Sequence, residues 1–566
     1  MKHLRGVSNS ELRVQHHLWF PGGGVSPSWT LLLMTISFVT SFGPISIALF
    51  VAIASALYYV GARFLHACLS CRNLPQPPHS FWFGHILVAA KISKSYPPNS
   101  YIHHLLITIS REYNLPDVFY LDLWPFANPM VILCTPELAA QVTTEQAFPK
   151  APALNEFLCP FLGKSSIISV NGAKWKALHS IFAPAFSPAY VRTLTDSMVD
   201  EVLLYYNKLA KFARSKEEFS MSDINVEMTF NVIGRAVFDS PFHTKEGQDF
   251  VSTFRTGLDY VFEGGHIGRR LLYAIPTWRM VRKVDRYVEK KMITRFDKMK
   301  KEGSSVKKSR TLLDLVLKRK LDKQEGIVGD RDFMEMAISN IKSFLIAGHE
   351  TTAHTLGYIF MLLSKHPDAL QKARLEHDQV FDPDFKRTVE LIRAHPERLY
   401  DLHYTTGIIK ESLRLFPIGS VSRYSAEGLH VMYEGKKLPL TDQIILICNM
   451  IIHYNPEIFP SPGDFQPERF TTQIVPKDAW RPFERGSRAC IGQDLAMMEM
   501  RMVLLIVLRS FDFETLGTNE RKYPAAAYTN LHTIFGDLVY QRQSLTARPL
   551  GNQDMKVKFA RDMRNS

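Results

Sequence analysis

Cys490 lies in the stretch Phe483-Glu484-Arg485-Gly486-Ser487-Arg488-Ala489-Cys490-Ile491-Gly492, which leads directly into an amphipathic segment from about Gln493. A cysteine at a helix amino terminus meets free backbone N–H groups and the positive end of the helix dipole, and both favour thiolate over thiol. Arg485 and Arg488 add positive charge. Gly486 and Gly492 allow tight turns and close approach of backbone to a flat ligand. A thiolate in such a nest suits a soft or redox-active metal. A lone cysteine is equally a small buried apolar residue, so this reading depends on what accompanies it.

Four other stretches carry chemistry-bearing residues. Ala347-Gly348-His349-Glu350-Thr351-Thr352 lies inside a long apolar helical pattern from about Phe333 to Ser364. An acid beside a hydroxyl, buried mid-helix, is costly unless it has a task; a Thr351 hydroxyl bonding back to the preceding turn is the plain alternative. In Glu411-Ser412-Leu413-Arg414 the charges stand three apart and share a helix face, which by itself also fits a surface ion pair. Pro467-Glu468-Arg469-Phe470 adds another arginine, and Trp175-Lys176-Ala177-Leu178-His179 precedes Pro184-Ala185-Phe186.

Apolar spacing predicts helices near 135–147, 173–182, 190–212, 221–237, 280–301, 332–364, 367–380, 402–415 and 493–510 to position these residues. Alternating patterns predict short strands near 117–122, 129–133, 428–433, 443–448 and 536–541. The expected class is mainly α with small β-sheets. Ahead of them, Leu18 to Ala62 carries no charged residue. Its richest part, 44–62, is long enough to cross a bilayer. Ala54-Ser55-Ala56 resembles a cleavage site, but the apolar run before it is too long for a signal peptide. The expected division is a tail and first apolar stretch (1–43), a membrane span (44–62), a proline-rich linker (63–80), one large domain (81–550) and a carboxy-terminal tail (551–566). Lys298 to Arg310 reads as a solvated connection.

The 566 residues include 46% hydrophobic and 22% charged, which excludes a largely disordered chain. The net charge of +13 is spread along the chain. It points to a membrane surface or an acidic protein, and no nucleic-acid motif accompanies it. The cysteines Cys68, Cys71, Cys134, Cys159, Cys448 and Cys490 are too sparse for a disulfide framework. Cys68 and Cys71 are free thiols or sites of S-acylation beside a membrane.

Together these stretches resemble the cytochrome P-450 family, from roughly Pro75 to Arg542. The cysteine loop fits that family's F-x-x-G-x-R-x-C-x-G at every fixed position. The other stretches fit A-G-x-[DE]-T-T, E-x-x-R and P-E-R-F. The resemblance implies heme b, with Cys490 as axial ligand, Phe483 packed beside the sulfur, and Gly486 turning the loop. It implies Arg488 and Arg423 on the propionates, and Trp175 and His179 above them. His179 stands where the family's W-x-x-x-R carries arginine, so that contact departs from the pattern. Glu411, Arg414 and Arg469 are implied as a buried network, Gly348 as a groove for dioxygen, and Glu350 with Thr351 as the proton path.

The implied reaction is insertion of one oxygen atom of dioxygen into a hydrophobic small molecule, by hydroxylation or epoxidation. Electrons come from NADPH through a separate reductase, whose acidic face Arg481 and Arg485 are expected to meet. Pocket lining is expected from Phe157 to Ile168, Phe344, Ala347, Ile418 to Val421 and Thr533 to Phe535. The detail of the loop looks like fungal members that tailor polyketides or terpenoids, with the chain anchored in the endoplasmic reticulum and its main domain facing the cytosol. Competing readings are a haem-thiolate isomerase or dehydratase without dioxygen, a fatty-acid or sterol hydroxylase, and a non-enzymatic haem sensor. The pair Glu350-Thr351 argues for dioxygen use.

Overall fold

Helix α1 (Pro44–Leu69) contains a 21-residue apolar window, Ile45–Leu65, mostly exposed and long and apolar enough to cross a membrane. The helix extends past the predicted span of 44–62, and the predicted linker begins as helix. Residues 63–69 contain no glycine or proline, so nothing stops the helix before Pro75, Pro77 and Pro78. The chain divides at Leu69 into an amino-terminal unit and a second unit. In the computed structural model, residues 43–69, 74–123, 129–264, 270–302, 311–419, 421–438, 440 and 443–560 are described. The predicted tail up to residue 42, Cys71, residues 303–310 of the predicted connection and residues 561–566 lie outside them.

The longer helices of the second unit are α2 (Ile86–Ser93), α3 (Ile102–Glu112), α4 (Pro152–Leu162), α5 (Gly172–Phe182), α6 (Thr195–Ser215), α7 (Met221–Phe238), α8 (Lys245–Gly264), α9 (Arg270–Glu302), α10 (Leu312–Asp322), α11 (Arg331–Ser364), α12 (Pro367–Val380), α13 (Phe385–Ala394), α14 (His403–Leu415) and α15 (Gln493–Leu508). The strands are β1 (Val118–Leu121), β2 (Met130–Leu133), β3 (Phe219–Ser220), β4 (Val421–Tyr424), β5 (Met432–Tyr433), β6 (Lys436–Lys437), β7 (Ile444–Ile447), β8 (Phe511–Thr515), β9 (Gln541–Gln543), β10 (Ala547–Pro549) and β11 (Asp554–Phe559). The mainly α class with small sheets is thus as expected.

One sheet has the order β1-β2-β7-β4, with β2 and β7 parallel and the outer pairs antiparallel. Its strands read as continuous apolar runs because both faces are covered. Phe119, Leu121, Ile132 and Leu446 enter the main core, while Val118, Tyr120, Val131 and Ile445 enter a smaller one. A second sheet runs β3-β11-β8. β11 falls within the predicted carboxy-terminal tail, which is therefore in part structural. Met555 and Val557 are its buried positions, and they alternate with Lys556 and Lys558, a polar-apolar pattern that charge content disguises. The predicted strand at 536–541 is instead a 3-10 turn at Gly536–Val539 before β9.

α11 is the central helix. From Ser339 to Leu363 every residue is buried except Ala347, Gly348 and Thr351. It lies tightly on α7: a β-carbon at Gly348 would come within 2.6 Å of the Ile233 side chain. Thr229 Oγ1 donates to the His349 carbonyl at 2.8 Å. Gly348 therefore also serves the close approach of two helices.

Among the described residues, six buried imidazoles of this unit are shifted strongly by their burial. Burial pushes His103, His104, His377 and His453 down to about 3. It pushes His349 and His354 down to about 4. The unfolded chain, with imidazoles titrating near 6.5, takes up these protons first, so stability is full above about 6.5 and falls as pH drops toward 3 to 4. Each fully linked imidazole costs about 1.4 kcal/mol per pH unit in that window. The thermal midpoint, followed by circular dichroism, is expected to fall steadily between pH 6.5 and 5. A midpoint that rises on acidification through that window contradicts this.

Candidate active site

The cysteine loop is built by two backbone constraints. The Cys490 N–H donates to the Phe483 carbonyl at 2.8 Å, which closes the loop on the half-buried Phe483. At Gly486 φ is +75°, and a β-carbon there would lie 2.1 Å from the Thr143 carbonyl oxygen. The residue must be glycine on both counts. Thr143 belongs to a π-helical turn, Gln141–Glu145, that follows the helix at Pro136–Ala140. Such turns break the regular ladder, and here one meets the cysteine loop.

Cys490 is solvent-accessible by its surface, yet burial pushes its thiol up, opposed by the Gly492 N–H. The two observations agree if the sulfur faces an interior cleft, and burial then outweighs the thiolate-favouring nest expected from the sequence. Arg485 is exposed and stands 3.7 Å from Asp478. The opening on α11 at Ala347 and Thr351 is the other interruption in the buried interior, and α11 packs on α15, which starts at this loop. Thr352 is buried.

Beside the loop lies a concentration of positive charge. Arg488 donates to the Ile167 carbonyl at 3.2 Å, to the Val170 carbonyl, and to Asn171 Oδ1 at 2.8 Å. Its guanidinium sits 4.4 Å from the centre of the Trp175 ring, which meets the His179 ring at 4.9 Å and a 41° tilt. Burial and Arg423 together push Arg488 down to about 10. Arg423, on β4, is buried, with Nε and Nη2 lacking any protein hydrogen-bond partner. Trp175, His179, Arg488 and Arg423 thus assemble as expected.

Lys150 is the member of this cluster that sequence reasoning missed. Burial, then Arg423 and Arg488, push it down to about 7, against the pull of Glu484. Asn171, the residue before α5, holds the Lys150 backbone through N–H and carbonyl at 2.9 and 3.0 Å while accepting from Arg488. Tyr424 N donates to the Pro149 carbonyl at 2.9 Å, tying this segment to β4. A single lysine after Phe148-Pro149 carries no motif, so only the fold reveals it.

These residues fit a haem. Lys150, Arg423, Arg481 and Arg485 face two carboxylates, Asp478 and Glu484, and Arg488 stands beside Arg423. Basic groups outnumber the carboxylates, a surplus that suits the anionic propionates of a haem. The unpartnered guanidinium fork of Arg423 suits a carboxylate.

Behind the loop, Arg414 Nε and Nη2 donate to the two Glu411 oxygens at 2.7 and 2.8 Å, and Arg469 Nε donates to Glu411 Oε1 at 3.2 Å. All three are fully buried, so the surface-pair alternative is excluded. Arg481 is also fully buried, held by Glu484, Asp478 and Thr143. It is not available to dock a partner, and that expectation is corrected; Arg485 alone of the two is exposed.

Glu350 is buried and accepts from Thr546 Oγ1 at 2.9 Å and from Arg548 Nε at 2.5 Å. Burial would raise its carboxyl, but Arg548, His354 and His349 hold it below the usual carboxylate range. Arg548 also reaches Asp259 at 3.1 Å. Thr351 Oγ1 donates to the Ala347 carbonyl at 2.7 Å, the back-bonding alternative, and the residue is partly exposed.

On the Glu350 side is a cavity of about 870 Å³, within the range of small-molecule sites. Leu154, Phe157, Leu258 and Phe262 give it apolar walls, and Asp259, Glu350, Arg542 and Arg548 charged ones. It is more polar than expected. Of the predicted lining, Phe157 is in place. Phe344 packs at 4.8 and 5.2 Å on Phe182 and Phe186. Phe535 lies against His366, and Arg542–Leu545 lines the cavity. Ser420 lies outside the described residues.

Residues 75–529 match the family model described as Cytochrome P450. The chain is 32% identical over 532 residues to cytochrome P450 monooxygenase polC of Polytolypa hystricis, covering 91% of this chain and 95% of that protein. It is 34% identical over 478 residues to cytochrome P450 monooxygenase acrF of Aspergillus aculeatus, covering 79% and 95%. The crystal structure of the cytochrome P450DA heme domain superposes with a TM-score of 0.68 at 20% identity, covering 86% of this chain and 98% of that one.

Substituting Gly486→Ala forces a side chain onto the Thr143 carbonyl and strains a left-handed backbone by about 1–2 kcal/mol before any clash. The carbon monoxide difference band of the reduced protein is expected to drop more than about tenfold. Wild-type recovery would show that the loop tolerates a β-carbon.

Proposed function

Since this chain belongs to the cytochrome P450 family and is a haem monooxygenase, we propose that Cys490 is its axial iron ligand and that it oxidises a hydrophobic small molecule in fungal secondary metabolism. The observation that carries this reading is the cysteine loop beside a cluster of basic residues that outnumbers its carboxylates. Bound haem supplies the activation of dioxygen for insertion of one oxygen atom. Phe483 packs beside the loop and its carbonyl holds the Cys490 backbone. Arg423, Arg488 and Lys150, with Trp175 and His179, hold the propionate side.

Thr351 presents its hydroxyl oxygen to the cleft and orders a proton there. Glu350 supplies that proton from the charged cavity, positioned by Thr546 and Arg548. The apolar walls at Leu154, Phe157, Leu258 and Phe262 orient the substrate and exclude water. Hydroxylation or epoxidation of a polyketide- or terpenoid-like skeleton fits these walls and the fungal relatives. Electrons come from a separate NADPH-dependent reductase, met in part by Arg485. α1 anchors the chain in the endoplasmic reticulum membrane with the main domain facing the cytosol.

Cys490→Ala is expected to abolish the thiolate-type carbon monoxide band of the reduced, purified protein. Retention of that band would sink the assignment. The substrate is accessible by deleting the gene and identifying what accumulates.

On that substrate, Glu350→Gln is expected to lower turnover about a hundredfold while leaving the carbon monoxide band unchanged. Undiminished turnover would remove Glu350 from the proton path.

A further inference from the structure

Glu484 stands at an unusual place in the cysteine loop. Its backbone lies in the left-handed region, φ +60°, which favours glycine or asparagine over a long side chain. Its carboxylate is nevertheless mostly buried. Oε1 accepts from Arg481 Nη2 and from the Arg485 N–H at 3.0 Å. Oε2 has no hydrogen-bond partner and lies 3.6 Å from Arg423 Nη2, itself unpartnered. The same carboxylate acts on Lys150 against Arg423 and Arg488. One acid thus touches the electrostatics of Arg423, Arg481 and Lys150.

We propose that Glu484 is the internal counter-charge of the propionate pocket, a positioning residue that sets how firmly Arg423 grips a propionate and how readily the iron is reduced. The proposal rests on the reading that Arg423 and Arg488 hold the haem propionates. With Glu484 ionised, one positive charge of the cluster is offset within the protein. In a variant with a neutral residue at this position the cluster is more positive by one charge, Arg423 is shared with no carboxylate of the protein, and the extra positive charge favours the reduced iron, which carries one electron more. Interaction in a partly buried site is screened less than at the surface, so the effect reaches the iron.

The test compares Glu484→Gln, Glu484→Asn and Glu484→Asp with wild type as haem-loaded, full-length protein. Asparagine and aspartate both tolerate the left-handed backbone, so a neutral and a charged variant remain available if glutamine does not fold. In each, ferric haem takes one electron from a reduced reference dye to give ferrous haem and oxidised dye, and the equilibrium gives the potential. Haem transfer to an excess of apomyoglobin gives the release rate.

The neutral variants are expected to shift the iron equilibrium toward the ferrous form by roughly three- to tenfold, tenfold being about 59 mV for a one-electron couple. They are also expected to release haem several-fold more slowly, with aspartate close to wild type. Equal potentials in all four proteins overturn the proposal, as does an equal shift in the asparagine and aspartate variants, which assigns the effect to packing. The carbon monoxide band is recorded throughout. Its absence from wild type overturns the haem reading itself, whereas an intact band with an unmoved potential overturns only the role of Glu484.

Discussion

The fold around the cysteine depends on one desolvated carboxylate. Glu411 takes hydrogen bonds from Arg414, Arg469 and the Gln466 N–H. A buried ion cluster of this kind adds little to stability over an apolar core of equal volume, yet removing one partner leaves a charge stranded. Its consequence is therefore geometric. Arg414 also donates to the His453 carbonyl at 2.8 Å. The His453 ring accepts from the Arg481 N–H at 3.3 Å through Nε2 and meets the Arg414 carbonyl at 3.1 Å through Nδ1. That pattern requires the neutral tautomer with the proton on Nδ1, and burial secures it. A chain of obligatory pairings then runs from α14 through His453 and Arg481 to Glu484, at the base of the cysteine loop.

That chain ends on a cluster which is incomplete as protein alone. Arg423 pays for its burial with two unpartnered nitrogens, and Lys150 and Arg488 both lose basicity to their neighbours. Such a cluster is stable only with anions in it. The departure at His179 is intelligible in the same terms. Here Lys150 joins the cluster from another segment, and His179 lies against the Trp175 ring.

What was legible in the sequence follows from locality. The cysteine loop is local: one hydrogen bond across seven residues and one glycine at positive φ encode it, so the spacing is readable. α11 is local too, since its apolar pattern persists over nine turns. Lys150, Asn171 and Arg548 were not readable, because their partners lie in distant segments and their residue types are ordinary. Arg481 misled for the complementary reason. A charged residue beside a functional loop reads as surface unless its partners are known, and Glu484, Asp478 and Thr143 enclose it only in the fold. The same applies to β11, whose lysines mask a strand with one buried face, and to α8, whose polar face outweighs its apolar stripe.

The acid and the alcohol on α11 face different surroundings although they are adjacent in sequence. Successive helical residues diverge by about 100°, so Thr351 is partly exposed while Glu350 turns to Arg548, Thr546 and the charged cavity. A carboxylate held below its usual range by a guanidinium is ionised at rest. It accepts a proton from the cavity before it can donate one, and its ion pair must loosen for that proton to arrive. Arg548 has a second partner in Asp259, which is more than half exposed. Arg548 therefore links two carboxylates in the charged wall of the cavity, one buried and one exposed, and its pairing holds Glu350 in the ionised form.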